Sequence, residues 1–138
     1  MKRFRFIVLA LSTLLCVALT GCSESNDVSV ISDAIPEEIT SIEVSGFYGG
    51  GELKPWELTQ EEIEELNVWL PELSLEHRTY AKGQAPNEIW SGGTSYRFNV
   101  NDGEMSFAWL HIDKAYIKYD SEWYEITNTS TPPLDLAG

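Results

Sequence analysis

The chain has few basic side chains and only two histidines. Lys and Arg number 9 against 22 Asp and Glu, which gives a formal net charge of −13 at pH 7. Nucleic-acid binding requires a basic patch, so we exclude nucleic acid as a partner. His77 and His111 stand far apart and form neither a His-x-x-x-His nor a His-Glu-x-x-His pattern. These spacings are typical of histidine metal sites. We therefore predict neither a metal nor a cofactor.

The chain also lacks an apolar run long enough to cross a membrane. Its longest run, Phe6 to Leu19, covers about 14 residues, whereas a spanning helix needs roughly 20. Lys2, Arg3 and Arg5 precede the run, and small residues follow it before Cys22. Basic residues, a short apolar stretch and small residues in this order are the layout of a secretory signal peptide.

Leu19-Thr20-Gly21-Cys22 resembles the lipobox of bacterial lipoprotein precursors. The resemblance implies that residues 1–21 are a signal peptide cut after Gly21. It also implies that Cys22 carries a diacylglycerol and that its new amino group is usually acylated. The protein would then be held by this lipid on the extracytoplasmic side of the cell membrane or of an outer membrane. An ordinary cleaved signal with a chance cysteine is the alternative.

Cleavage at Cys22 would remove Cys16 and three basic residues. The remaining chain would have no second cysteine, which excludes disulfides, catalytic thiols and thiolate metal sites. Its formal charge would be 6 − 22 = −16. Anionic lipid headgroups repel so acidic a chain, so the membrane attachment would depend on the lipid alone.

Composition divides the remaining chain into three parts. Residues 22–38 are rich in Ser, Asp, Glu and Asn and predict a lipidated cysteine followed by a flexible tether. The apolar residues Val28, Val30 and Ile31 leave open that this segment adds an edge strand or packs on the domain. Residues 39–127 suffice for one small domain. Residues 128–138 contain Pro132-Pro133 and predict a disordered tail.

The pattern of residues 39–127 predicts an α+β domain. Alternation predicts a first strand over Ile39–Phe47, and Thr59 with Glu62 forms a capping box that begins a helix. A long loop, Ser74 to Gly93, follows the helix. Alternation and turn residues then predict a meander of four strands, at Thr94–Val100, Glu104–Ile112, Ala115–Tyr119 and Trp123–Thr127. We expect the first strand and one helix to pack on a mainly antiparallel sheet.

Motifs for catalysis or ion binding are incomplete. The spacing Gly46-x4-Gly51 is that of a phosphate-binding loop, but Glu52 stands where such a loop has lysine. The oxygen-bearing residues between positions 99 and 104 break the EF-hand spacing, and Trp109 replaces its final glutamate. Ser91 lacks the preceding glycine of a nucleophile elbow. We therefore name no catalytic residue.

Aromatic residues give the remaining indication of function. Trp56 beside the glycine-rich bend and Trp90 in the long loop lie outside the periodic segments, so we expect both to be exposed. Exposed aromatic side chains favour contacts with proteins, peptides or glycans. The sequence thus predicts a non-enzymatic binding module, with an inhibitor of a secreted enzyme as one form of it. The alternatives are that these rings fill the ends of the core, or that the chain is a small envelope hydrolase using His77 or His111.

Overall fold

A computed structural model describes residues 29–86, 93–128 and 131–134. The predicted signal peptide, the residues that resemble a lipobox with Cys22, Trp90 and Ser91 lie outside these ranges. Two helices, α1 (Ser29–Ala34) and α2 (Gln60–Glu72), accompany seven strands in the described residues. The strands are β1 (Ile42–Tyr48), β2 (Gly51–Glu57), β3 (Leu75–Arg78), β4 (Thr94–Val100), β5 (Met105–His111), β6 (Ala115–Tyr119) and β7 (Glu122–Ile126). They form one antiparallel sheet in the order β2-β1-β4-β5-β6-β7-β3, and the expected α+β class is confirmed.

Helix α2 begins as its capping residues predict. The Glu62 backbone N–H donates to the Thr59 hydroxyl at 3.3 Å, and the Thr59 N–H donates to the Glu62 carboxylate at 2.8 Å. Ile63, Leu66 and Leu70 are buried along one side of the helix because they recur at helical spacing. Pro71 lies inside the last turn and the helix ends at Glu72. At the end of α2, the side-chain amide of Asn128 donates to the Glu72 carbonyl, and its carboxamide oxygen accepts from the Ser74 N–H.

The main core lies between the helices and one face of the sheet, here called the helix face. Side chains of alternate strand residues reach it, and the cross-strand register aligns Val44, Phe98 and Phe107 in one row. Phe98 and Phe107 stack with ring centroids 4.6 Å apart. The other sheet face, here called the opposite face, buries Ala108, Leu110 and Trp123 outside this core cluster.

Three segments differ from the sequence predictions. Strand β2 follows a tight turn at Gly49 and Gly50, both at positive φ, where we expected only a flexible bend. Pro55 within β2 argues against a strand when the sequence alone is considered. An edge strand nevertheless tolerates proline, because one side of its backbone has no hydrogen-bonding partner. Strand β3 takes up the start of the expected long loop and pairs with β7 at the other edge of the sheet. At only four residues, β3 is too short for alternation to reveal.

Part of the expected tether and part of the expected tail pack on the domain. Residues Ser29–Ala34 form α1, whose Ile31 is 1% exposed and belongs to the core. This is the packed alternative that the apolar residues left open. Pro132 is buried and Leu134 packs against the core, so residues 131–134 lie on the domain as well. In both segments, burial of an apolar side chain offsets the entropy lost on ordering a polar stretch.

Asn101 joins the β4–β5 turn to the segment before β1. Its carboxamide oxygen accepts from the Thr40 N–H at 2.8 Å and from the Ser41 N–H at 3.4 Å. Its amide nitrogen donates to the Glu38 carbonyl at 2.8 Å and to the Glu104 carboxylate at 2.9 Å. The backbone of Asn101 has φ 48, a conformation that asparagine tolerates better than most residues. One side chain therefore fixes both the turn and the entry to β1.

We predict that Asn101→Ala lowers the free energy of unfolding by about 2–3 kcal/mol, because it removes several hydrogen bonds and leaves their partners unpaired. Urea denaturation followed by tryptophan fluorescence measures this loss. Asn101→Gly is the matched variant, since glycine accepts the positive φ but restores none of the hydrogen bonds. Wild-type stability in the glycine variant would show that the side chain contributes nothing.

Candidate aromatic binding site

Four aromatic rings form a continuous series across β2, β1, β4 and β5 on the helix face. Trp56 meets Tyr96 edge-on with ring centroids 6.3 Å apart. Tyr96 stacks on Trp109 at 5.5 Å, and Trp109 stacks on His111 at 6.0 Å. Together with Tyr48 at the end of β1, we call these five residues the aromatic strip. The sheet register produces it, because Tyr96 pairs directly with Trp109 across β4 and β5.

The aromatic strip has a buried base and an exposed rim. Tyr96 and Trp109 are 3% and 4% exposed, Trp56 is half-buried, and His111 is exposed. Tyr48 is 61% exposed. Burial, and secondarily the neighbouring Tyr48, raises the pKa of Tyr96. The buried rings therefore support the rim from beneath and fix its geometry.

Gly46 determines how β1 approaches β4 beneath the aromatic strip. A side chain there is excluded, since a Cβ atom would overlap the backbone carbonyl of Ser95. The pairing of β1 with β2 shifts register between Val44 and Gly46. Such a bulge re-aims the residues that follow it, and two positions later the chain carries the exposed Tyr48. Gly46 therefore allows the backbones of β1 and β4 to lie close together. This structural role agrees with the interpretation that residues 46–51 are not a phosphate-binding loop.

The predicted exposure of Trp56 is corrected by the structure. Trp56 lies in strand β2, is half-buried and packs against the core. The expectation failed because β2 itself was not recognised. Trp90, the other candidate, lies outside the described residues. The structure thus places the ring of Trp56 against Tyr96, a residue that the sequence alone does not connect with it. The Asn101-Asp102-Gly103 turn was the available signal, since it sets the register that pairs Tyr96 with Trp109.

The opposite face carries a second group of aromatic side chains. Tyr80 and Tyr116 each meet the ring of Trp123 edge-on, with centroids 6.5 and 6.3 Å apart. Trp123 is 8% exposed, so Tyr80, which follows β3 in the expected loop, helps to cover it. Burial and the neighbouring Tyr80 raise the pKa of Tyr116. Trp123 and Tyr124 are neighbours in β7 and point to opposite sheet faces, and both are buried.

A charged network borders this group. The carboxylate of Glu125 accepts hydrogen bonds from the Lys114 ammonium at 3.0 Å and from the Arg78 guanidinium at 2.9 Å. The Arg78 guanidinium also donates to the Glu76 carboxylate at 2.7 Å. The hydrogen bonds from Lys114 and Arg78 lower the pKa of Glu125, whose side chain is 13% exposed. Each group has an opposite charge nearby, so the network is an ordinary structural one. It secures the short strand β3 to β7.

The two histidines lie in different places. His77 is in β3, not in a loop; its Nε2 lies 2.8 Å from a Glu122 oxygen, and its ring packs on Tyr124. His111 ends β5 on the same face as Trp109, because the two residues are two positions apart in the strand. Two strands, β6 and β7, separate β5 from β3, so the histidines cannot share a reacting group.

Asn101, one of the oxygen-bearing residues between positions 99 and 104, has a structural role. Asn101 directs its carboxamide oxygen at backbone N–H groups, so this oxygen is occupied as an acceptor. Within residues 29–86, 93–128 and 131–134, no three His, Cys, Asp or Glu side chains are grouped in a way that could hold a metal ion. In the same ranges, no helix has the length and apolar character needed to cross a membrane. Compared with protein-family models, with curated proteins and with solved structures, the chain gives no match.

Proposed function

We propose that this protein is a lipid-anchored component of the cell envelope whose α+β domain binds a protein, peptide or glycan without catalysis. The Leu19-Thr20-Gly21-Cys22 tetrad behind a basic and apolar leader supports the anchor. The aromatic strip supports binding, and it is the observation that carries this part of the proposal. The lipid on Cys22 attaches the protein to the membrane, and the domain binds its ligand on the extracytoplasmic side.

The exposed rim of the strip indicates how a ligand is held. Tyr48 in β1 offers an exposed ring with a hydroxyl, and His111 in β5 offers an exposed imidazole in the same cross-strand row. Half-buried Trp56 lies at the β2 end of the strip, where its ring meets Tyr96 edge-on. Rigid aromatic side chains of this kind lose little conformational entropy on binding and dominate many interfaces. An inhibitor of a secreted enzyme would use the same surface to cover its target.

Two acidic residues lie in the same edge strand as Trp56, but their pairing with Phe47 and Glu43 places them on the opposite face. Glu52 and Glu57 share strand β2 with Trp56, and both are exposed. A partner that extends around edge strand β2, with a ring-shaped or apolar element on one face and basic groups on the other, therefore complements this edge of the sheet. Salt would slow association with such a partner, because exposed charges are screened over about 8–10 Å at ordinary ionic strength.

Site-specific photo-cross-linking in the producing cells tests the binding surface. A photoreactive amino acid replaces Tyr48 in one variant and Val68 in a matched control. Val68 is 64% exposed on α2 and is not part of the strip, so both probes are equally accessible. We expect a discrete cross-linked product from position 48 and none from position 68. Equal labelling at the two positions, or no product at position 48, would contradict binding at the strip.

A further inference from the structure

The turn between β1 and β2 lies at a corner of the sheet. Strand β1 ends at Tyr48 and β4 begins at its partner Thr94, so Gly49 and Gly50 extend past the end of the sheet. Strand β2 is also an edge strand. Among the described residues, a Cβ atom placed on either turn glycine would have no neighbour within 4 Å apart from adjacent residues. We call residues 48–51 the hairpin tip.

The hairpin tip contains more glycine than the turn requires. Gly49 and Gly50 have φ 58 and 87, and a two-residue turn with positive φ at both positions accepts Asn-Gly as well as Gly-Gly. Gly51 lies in β2 without positive φ, and a Cβ atom there would lie 3.5 Å from the Tyr48 carbonyl oxygen, an ordinary contact distance. Glycine loses more backbone entropy on folding than other residues do. The fold alone therefore does not account for a third glycine at this position.

Tyr48 is the one bulky side chain of the hairpin tip, and it is 61% exposed. Its position in the cross-strand row places it on the helix face. Glu52, which pairs with Phe47, follows the tip on the opposite face and is exposed. Binding sites for glycans and other small ligands are concave, whereas a hairpin at the corner of a sheet is convex. The partner must therefore supply the concave surface.

We propose that the hairpin tip inserts into a narrow cleft of a folded partner protein. This inference rests on the proposed function and narrows its ligand from a protein, peptide or glycan to a protein with a cleft. Two strand backbones about 4.8 Å apart, joined by glycines, form a wedge thin enough to enter such a cleft. Tyr48 fills an apolar pocket in one wall, and a basic group in the other wall faces Glu52.

The backbone of the tip contributes to recognition as well. Gly49 and Gly50 lie beyond Tyr48 and Gly51, the last pair of the β1–β2 ladder. The ladder therefore leaves the N–H and C=O groups of the two turn glycines for the donors and acceptors of the cleft. Because no side chain stands over these groups, the partner can approach them closely.

Substitutions that add a side chain to the tip and keep the turn test this inference. Gly49→Asn gives the Asn-Gly pair that such turns favour, and Gly51→Thr introduces a residue that suits a strand. Gly83→Asn is the matched control. Gly83 also has positive φ, with open space around it among the described residues, but it follows β3 at the other edge of the sheet. Thermal unfolding followed by circular dichroism establishes that each variant is folded.

The readout is the yield of the cross-linked product from a photoreactive amino acid at position 48 in the producing cells. We expect Gly49→Asn and Gly51→Thr each to lower this yield at least tenfold, because an added side chain widens the wedge. Gly83→Asn should leave the yield unchanged. An undiminished yield in Gly49→Asn, or an equal loss in Gly83→Asn, would overturn insertion of the tip.

Mass spectrometry of the product identifies the chemistry of the partner. Cross-linked peptides that line a cleft of one protein support the proposal, whereas a glycan, or a convex site on a protein, would overturn it. Absence of any product in the parent would contradict the proposed function together with this inference. A product that persists in Gly49→Asn would contradict insertion alone and leave binding at the aromatic strip standing.

Discussion

Replacing Phe98 by alanine is expected to lower the free energy of unfolding by about 3–5 kcal/mol, the usual cost of truncating a fully buried phenylalanine. Phe98 is 0% exposed and stacks on Phe107. It lies at the centre of the row that joins β1, β4 and β5. Because whole domains are stable by only about 5–15 kcal/mol, this variant should unfold at a much lower urea concentration.

Phe47→Ala is the matched control for this experiment. Phe47 lies in β1 on the opposite face and is half-buried, so the same truncation removes less buried surface and should cost clearly less. Equal losses in the two variants would contradict the assignment of the main core to the helix face. Urea denaturation monitored by circular dichroism measures both.

Local signals in the sequence were sufficient for α2 and for the four strands from Thr94 onward. The capping box at Thr59 and Glu62 involves neighbours in the chain, so its geometry follows from spacing alone. The hairpin turns likewise connect adjacent strands. Strand β3 was not predictable in this way, because its partner β7 lies far along the chain and supplies the pairing that so short a segment needs.

The site was only partly predictable for the same reason. Trp56 was singled out as an exposed ring, whereas its position follows from the pairing of Val44 with Trp56 across β1 and β2. Tyr48 carries no motif, and its exposure results from its place at the end of β1 next to the Gly49-Gly50 turn. Long-range pairing brings these residues together, and a single sequence does not encode that pairing in any local pattern.

Replacing Cys22 by alanine should abolish membrane attachment. We expect no incorporation of a fatty-acid analogue into the variant and its recovery in the soluble fraction. Each buried acyl CH₂ contributes about 0.8 kcal/mol, so two or three chains hold a protein firmly and none leaves only weak contact. The acidity of residues 22–138 adds repulsion from anionic headgroups. Metabolic labelling and membrane fractionation measure the two effects separately.

Cys16→Ala is the matched control for the anchor. It makes the same substitution within the segment that the lipobox resemblance assigns to the signal peptide, so labelling and sedimentation should remain unchanged. Persistent label in the Cys22 variant would place the lipid elsewhere and refute the anchor. Loss of label in both variants would indicate failure of export, which an assay for the precursor detects.

The most direct test of the proposed binding function is the yield of the cross-linked product from position 48 when Trp56 is also replaced by alanine. Trp56 forms the β2 end of the strip and meets Tyr96 edge-on, so its removal should reduce the product at least tenfold. Circular dichroism establishes that the doubly changed protein is folded. A strongly reduced yield in the folded protein is the result the account predicts, and an undiminished yield would contradict it.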